Sequence, residues 1–385
     1  MRFEFATASR ILFGPGTAAE IPTEAAALGK KPLVVLGASG TRRYASLIEA
    51  LGRAGLEPAV FCVPGEPDTG LIEQGAAEAR RAGCDLVIAI GGGSVLDAGK
   101  AMAALLTNPG ELMDYLEVVG RARPLERPAA PCIAVPTTSG TGAEVTRNAV
   151  LTSKEHRVKV SMRSPSMLPR LAVVDPELAL SVPADVTAAT GLDALTQLIE
   201  AFTCNAPNPM TDGFCREGIP RIVRWLQRAC EAGDDRVARE NMAVASLLSG
   251  LALANARLGA VHGFAGPIGG MFPAPHGAVC ARLLPGVMEV NCRALAERGF
   301  DSPACARYHE LARLFTGRPS ALAPDGVAWV RKLCADLNVR PLASFGITSA
   351  DVPALVAQAG KASSMKGNPI ALTEKELTAI LMNAL

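Results

Sequence analysis

Cys84-Asp85-Leu86-Val87-Ile88-Ala89-Ile90 runs straight into Gly91-Gly92-Gly93-Ser94, and then into Val95-Leu96-Asp97-Ala98-Gly99-Lys100. The run Asp85–Ile90 is apolar and short enough for a buried strand, and Val95–Leu106 has helical periodicity. The order is therefore strand, glycine turn, helix. Glycines let the backbone approach a phosphate closely, and Ser94 is the expected N-cap of the helix. Unpaired N–H groups and the positive dipole end of a helix start suit a pyrophosphate.

The same alternation extends outward on both sides. Pro32–Gly37 reads as a strand, and Thr41–Ala54 follows with Leu47, Ile48 and Leu51 at helical spacing. Ala59–Val63 is a second strand, and Gly70–Ala82 is a helix. After the glycine turn come strands at Cys132–Pro136 and Leu171–Val174. Apolar strands alternating with amphipathic helices predict a parallel, Rossmann-like sheet covered on both faces. Ligands in such sheets bind beyond the carboxyl ends of the strands.

The texture changes near Ser181-Val182-Pro183. Beyond it the strand pattern disappears. Helices are expected over Asp185–Thr203, Thr211–Ala232, Arg236–Ala256, Arg293–Phe315, Ala323–Leu337 and Thr373–Asn383. The reading is an α/β dinucleotide-binding domain over 1–181 and an all-α domain over 182–385, a length that supports two cores.

Composition narrows the function. The chain has 385 residues with 38 basic and 37 acidic side chains and no basic run, which argues against nucleic acid as a partner. The longest low-charge apolar stretch, Met242 to Ala256, is too short for a bilayer, so no membrane span is expected. The N-terminus lacks an apolar leader, and the 10 cysteines are scattered without C-x-x-C spacing. Both point to a reducing, cytoplasmic setting, with the cysteines as small buried residues.

Two further constellations carry chemistry. Ala134-Val135-Pro136-Thr137-Thr138-Ser139-Gly140-Thr141-Gly142-Ala143-Glu144 sets four hydroxyls and two glycines directly after a strand, suited to holding a nucleotide. Asp193 and Gln197 lie four apart, on one face of a helix, with His262 and His276 downstream.

These segments resemble the iron-containing alcohol dehydrogenase family. Its Gly-Gly-Gly-Ser-x-x-Asp-x-x-Lys corresponds to 91–100, and its Pro-Thr-Thr-x-Gly-Thr-Gly-x-Glu to 136–144. Asn208-Pro209-Met210-Thr211-Asp212, Leu258-Gly259-Ala260-Val261-His262 and Pro275-His276-Gly277 continue the likeness, which runs from Ile11 to the end. The resemblance implies an oxidoreductase that moves hydride between NAD(P)H and a small aldehyde, ketone or alcohol, in a cleft between two domains, and a homodimer. It further implies cofactor contacts from Gly92, Gly93, Ser94, Asp97, Thr137, Thr138, Thr141 and Lys159, and a substrate pocket at Asn148 and Leu253.

Many members place an acid at the end of the first strand, where it holds the ribose hydroxyls. This chain has Gly37, followed by Ser39, Arg42 and Arg43, so a 2′-phosphate meets no carboxylate and finds guanidiniums. That favours NADP over NAD.

Metal-holding members use one Asp and three His for Fe²⁺ or Zn²⁺. Asp193, His262 and His276 match, and Gln197 takes the remaining position. An amide oxygen is a weak ligand beside imidazole. Members also often carry a proton-relay histidine where this chain has Gly266. Three readings stay open: a weakly held metal on Asp193, Gln197, His262 and His276; a metal-free enzyme like the maleylacetate reductases, with His262 or His276 as hydrogen-bond donor; or a non-catalytic dinucleotide-binding protein. A carbon–oxygen lyase resembling dehydroquinate synthase is the alternative reaction class.

Overall fold

The computed structural model describes residues 2–385. It divides into two compact units, one over Ala6–Val182 and one over Pro183–Leu385 that also takes in residues 2–5. The sequence reading assigns those first residues to the α/β domain. Phe5 instead packs on Phe214, ring centroids 5.7 Å apart.

The first unit is built on a six-stranded parallel sheet. In chain order its strands are β1 (Ile11–Phe13), β2 (Pro32–Gly37), β3 (Ala59–Val63), β4 (Leu86–Gly91), β5 (Cys132–Pro136) and β8 (Leu171–Val174). Across the sheet the order is β1-β8-β5-β4-β2-β3. Side chains alternate between two cores. Leu33, Val35, Val87 and Ala89 face one, and Val34, Leu36, Ile88 and Ile90 face the other. This double burial explains why the inner strands β2, β4, β5 and β8 are apolar throughout.

The order also locates a crevice. From β2 the chain moves outward to β3, then returns across β2 to β4 and continues the opposite way to β5. The direction reverses between β2 and β4, and such a switch point opens at the carboxyl ends of the two strands. Leu36 pairs with Ile90, so Gly37 and Gly91 end side by side.

A two-stranded antiparallel hairpin, β6 (Asn148–Ser153) with β7 (Val158–Arg163), completes the unit. The sequence reading missed it, along with β1.

The second unit contains no strand among its described residues. Its centre is the helix Ala184–Thr203, in which nearly every residue from Gly191 onward is buried. Around it pack Pro209–Glu231, Arg236–Asn255, Ala260–Met271 and His276–Arg298, followed by Pro303–Thr316, Ala323–Asp336, Val352–Ala359 and Glu374–Ala384. No single helix among the described residues is long and apolar enough to cross a membrane.

Three expectations need correction. The helix expected over Thr41–Ala54 is two pieces, Gly40–Arg43 and Ala45–Arg53, because Tyr44 leaves the helical region at φ −109°, ψ 20°. The helix expected over Arg293–Phe315 stops at Arg298 and restarts at Pro303, where the Ser302 hydroxyl accepts from the Ala304 N–H and proline sits at the first position. Ser94 is not an N-cap. Gly92 takes that position, and no side chain caps the helix Gly93–Thr107.

Candidate active site

The carboxyl end of β4 turns on glycines for steric reasons. A Cβ at Gly91 would lie 2.6 Å from the Val95 side chain, and one at Gly93 would lie 2.8 Å from Thr141 Cγ2. A side chain at Gly91 would push the helix off the end of β4, and one at Gly93 would push the helix start and the 137–142 loop apart. The loop is tied in turn, with the Thr137 N–H donating to the Gly91 carbonyl at 3.0 Å. Gly142 sits at φ +61°, a left-handed conformation that favours glycine. Thr137, Thr138 and Thr141 are all partly exposed beside this uncapped helix N-terminus. Hydroxyls and unpaired N–H groups there suit an anion.

Lys100 holds the arrangement from beneath. Its side chain is fully buried, and Nζ donates to the Ala143 carbonyl and to Thr146 Oγ1, each at 2.9 Å, and to the Asn148 carbonyl. It also pairs with Asp97 at 3.0 Å. A buried ammonium is tolerable only with this degree of pairing. The second Asp97 oxygen accepts from the Val150 N–H at 3.0 Å. Asp97 thus braces the hairpin against the helix, and both its oxygens are engaged within the protein. Lys159, nearly buried, pairs with Glu66 at 3.2 Å. Asn148 is partly exposed at the start of β6.

Glu144 is buried in the same loop. Burial pushes its carboxyl up to about 7, outweighing a backbone hydrogen bond and Lys100, which both lower it. The unfolded chain ionises nearer the ordinary value, so the native protein is the better proton binder between the two. Stability from this group is present below that window and is lost as pH rises to about 7. Glu144→Gln is therefore expected to match wild-type stability near pH 5 and to exceed it near pH 8 by at most about 3 kcal/mol. A thermal-melt difference independent of pH would contradict this.

At the end of β2, Gly37 has room: a Cβ there would meet only Val95 Cγ2, at 3.9 Å. Ser39 and Arg42 are exposed beside it. Arg43 is committed elsewhere, donating to the Leu178 carbonyl at 3.1 Å and to Ser181. Of the two guanidiniums, Arg42 alone is left for a ligand.

In the second unit, three helices bring polar groups to one point. Asp193 lies on the central helix, His262 on Ala260–Met271 and His276 at the start of His276–Arg298. Glycines permit the approach. A Cβ at Gly277 would meet the Ala189 carbonyl oxygen at 2.6 Å, and one at Gly259 would meet Glu200 and Asn368 oxygens at 2.9 Å.

Glu200 sets the orientation. One oxygen accepts from the Val261 N–H at 2.8 Å, capping a helix N-terminus. The other lies 2.6 Å from His262 Nδ1. That contact keeps a proton on His262 Nδ1 and points Nε2 at the cluster, the arrangement that orients histidine ligands in metal sites. His262 Nε2 is then 3.5 Å from Asp193 Oδ1, and His276 Nε2 is 3.7 Å from the same oxygen. Burial opposes ionisation of Asp193, but His276 and His262 outweigh it and hold the carboxyl below its ordinary value. Asp193 Oδ1 is buried and accepts no hydrogen bond. An orphaned carboxylate oxygen facing two imidazole nitrogens fits a divalent cation.

Cys280 joins the same cluster. Donor atoms of Asp193, His262, His276 and Cys280 all lie within 4.8 Å of one another. Burial pushes its thiol up to about 12, against the lowering effect of His262. Gln197 points aside: its Nε2 donates to Asp193 Oδ2 at 3.3 Å, and its Oε1 shares the Ser249 hydroxyl at 2.9 Å with the Ser246 carbonyl.

Comparison with known proteins identifies the arrangement. Residues 8–176 match the model of the iron-containing alcohol dehydrogenases, and residues 187–385 match that of the C-terminal region of the same family. The chain belongs to the iron-containing alcohol dehydrogenase family. It is 34% identical over 395 residues to 1,3-propanediol dehydrogenase of Klebsiella pneumoniae, covering 99% of this chain and 98% of that one. It is 40% identical over 292 residues to 4-hydroxybutyrate dehydrogenase of Cupriavidus necator, covering 74% and 73%. A crystal structure of 1,3-propanediol oxidoreductase matches with a TM-score of 0.91 at 34% identity, covering 100% of both chains. Membership makes this protein a nicotinamide-dependent oxidoreductase of alcohols and carbonyl compounds, from a family that uses a divalent metal.

Within this family fold, the structure gathers Gly92, Gly93, Ser94, Thr137, Thr138 and Thr141 at one crevice, and Asp193, His262 and His276 at one cluster. Leu253 stands apart from that cluster's hydrogen bonds, partly exposed on Arg236–Asn255. A Cβ at Gly266, where the family resemblance leads one to look for a histidine, would meet nothing within 4 Å. His156, read as a surface residue, is exposed. His309, read likewise, is half-buried and accepts the Ala323 N–H at 3.0 Å.

Sequence reasoning missed Glu200 and Cys280. Asp193, Gln197 and Glu200 fall at i, i+4 and i+7, one stripe of larger polar side chains that could have flagged Glu200. Cys280, one turn after His276, was set aside with the other scattered cysteines.

Proposed function

We propose that this protein is an NADP(H)-dependent reductase of short carbonyl compounds, working reversibly as an alcohol dehydrogenase with a divalent cation at Asp193, His262 and His276. The buried, unpartnered Asp193 Oδ1 facing two imidazole nitrogens carries the reading. The dinucleotide supplies the hydride, and the cation polarises the carbonyl oxygen as a Lewis acid.

The chain's own groups do the rest. The backbone at Gly92 and Gly93 and the hydroxyls of Ser94, Thr137, Thr138 and Thr141 hold the pyrophosphate at the helix N-terminus. Gly37 and Ser39 leave space at the ribose, and Arg42 receives its 2′-phosphate. Asp97 and Lys100 keep this loop in shape, and Lys159 is positioned by Glu66 beside β7. Glu200 keeps the His262 proton on Nδ1, so Nε2 remains a ligand. With glycine at 266, the product oxygen takes its proton from water rather than from a second histidine on that helix. Asn148 and Leu253 are assigned to the substrate pocket by correspondence with the family. Relatives named for 1,3-propanediol and 4-hydroxybutyrate support a short, polar substrate.

The metal-independent alternative draws on Gln197, which replaces a ligand histidine. It requires the cluster to work by hydrogen bonding alone, which the acceptor oxygen of Asp193 does not favour.

The test is oxidation of NADPH and NADH with short aldehydes, keto acids and maleylacetate as acceptors. Preference for NADPH with short aldehydes is expected. Arg42→Ala should weaken NADPH by about 1.5–3 kcal/mol and NADH little. Gly37→Asp, which has room for its side chain, should reverse the preference. Equal effects of these changes on both coenzymes would exclude this end of β2 as the selector.

A further inference from the structure

The second unit holds one feature that the family pattern does not account for. Gln197 stands where a ligand is expected, yet its amide is turned to its neighbours. Turning it over would set its oxygen against Asp193 Oδ2, where Nε2 now donates at 3.3 Å. It would also put an N–H₂ group on the Ser249 hydroxyl, which now sits 2.9 Å from Oε1. The amide therefore braces the carboxylate.

Another helix brings a donor atom to the same cluster. Cys280 lies one turn beyond His276 on the same face. Its Sγ is 3.7 Å from His276 Nε2 and 4.0 Å from His262 Nε2. The two nitrogens stand 3.7 and 3.5 Å from Asp193 Oδ1. Ligand bonds of about 2.0–2.3 Å in a tetrahedron place donor atoms roughly 3.3–3.8 Å apart. Four of the six edges, at 3.5–4.0 Å, come close to those lengths, all six lie within 4.8 Å, and a buried acceptor oxygen with no hydrogen bond points into the cluster.

We propose that the Cys280 sulfur is the fourth protein ligand of this chain's cation, and that Gln197 is a positioning residue that holds Asp193. Binding forms a sulfur–cation bond and releases the thiol proton to water. The cation's charge offsets the burial that otherwise keeps the thiol protonated. A set of one carboxylate, two imidazoles and one thiolate is softer than one carboxylate with three imidazoles, so it selects Zn²⁺ over Fe²⁺.

The proposal rests on the cation reading above, and the experiment separates the two. Full-length protein stripped with chelator is titrated with Co²⁺ and, in competition, with Zn²⁺. Wild type is expected to bind one Co²⁺ per chain with a thiolate-to-cobalt charge-transfer band in the near ultraviolet. Cys280→Ser should lose the band and weaken Zn²⁺ by more than the roughly 10–100-fold typical of outer-shell changes. Gln197→Ala should keep the band, which guards against a Cys280 variant that fails to fold. Cobalt bound without the band, or wild-type Zn²⁺ affinity in Cys280→Ser, overturns the role of Cys280 and leaves the cation reading in place. Absence of any cobalt binding overturns both.

Discussion

Asp193→Asn is expected to lower kcat/KM for aldehyde reduction by about a thousandfold while leaving NADPH affinity unchanged. A Lewis acid contributes several kcal/mol of charge stabilisation to such a transition state, and each 1.4 kcal/mol is about tenfold in rate. The carboxylate is the only formally anionic oxygen ligand in the cluster, and its loss should release the cation. The same change should not harm the fold. A buried acceptor without a hydrogen bond costs about 1–3 kcal/mol, and an amide at 193 offsets that cost by turning an N–H toward His262 Nε2, 3.5 Å away. That gain opposes the loss of the pairing with His276 and His262 that holds the Asp193 carboxyl low, so metal-free Asp193→Asn should stay folded and melt close to metal-free wild type. A variant that keeps its activity, or loses it only by unfolding, would remove Asp193 from the chemistry.

Gly93→Asp should abolish coenzyme binding, with an affinity loss of at least about a hundredfold, near 3 kcal/mol. Two effects add. The new Cβ would stand 2.8 Å from Thr141 Cγ2 and 2.9 Å from its Oγ1, forcing the hydroxyl loop away from the helix start. The carboxylate would then occupy the helix N-terminus in place of a phosphate, at a position the dipole favours for any anion. Gly93→Ala keeps the first effect alone, and Thr141→Gly alongside it should restore much of the affinity. Isothermal titration with NADPH measures all three. Metal content serves as the control, because the cation ligands belong to the other unit. Unchanged affinity in Gly93→Asp would mean that the glycine turn does not hold the pyrophosphate.

Much of the fold was legible because burial imposes pattern. β5 and β8 are apolar on both faces, and their runs at Cys132–Pro136 and Leu171–Val174 mark them to the residue. β1 escaped because Ile11–Phe13 is only 3 residues long. The β6–β7 hairpin escaped for a different reason. Its strands alternate buried and partly exposed positions, a period-two signal unlike that of the parallel strands. In the second unit, Pro267 and Pro285 sit inside Ala260–Met271 and His276–Arg298, and neither helix was expected except for the last turns of the second, within Arg293–Phe315.

The site divides in the same way. Gly92, Gly93 and the threonines follow one another along short motifs, so their convergence was readable. Asp97 was assigned to the coenzyme by the family likeness, and no local pattern reveals that Lys100 and Val150 also engage its two oxygens. Gln197 was placed at a ligand position by the family likeness, with a weakly held metal and a metal-free site both left open. Only packing shows that the Ser249 hydroxyl donates to its carbonyl and that Cys280, from a separate helix, approaches the histidines.

The most direct test of the account is the metal dependence of catalysis. Protein purified without chelator is assayed for bound divalent metal and for NADPH-dependent aldehyde reduction, then stripped, assayed again and reconstituted. The account predicts close to one metal ion per chain, loss of reduction on stripping with NADPH binding intact, and recovery on adding Zn²⁺. Full activity in demonstrably metal-free protein would contradict it and leave His262 and His276 as hydrogen-bond donors in a metal-independent reductase.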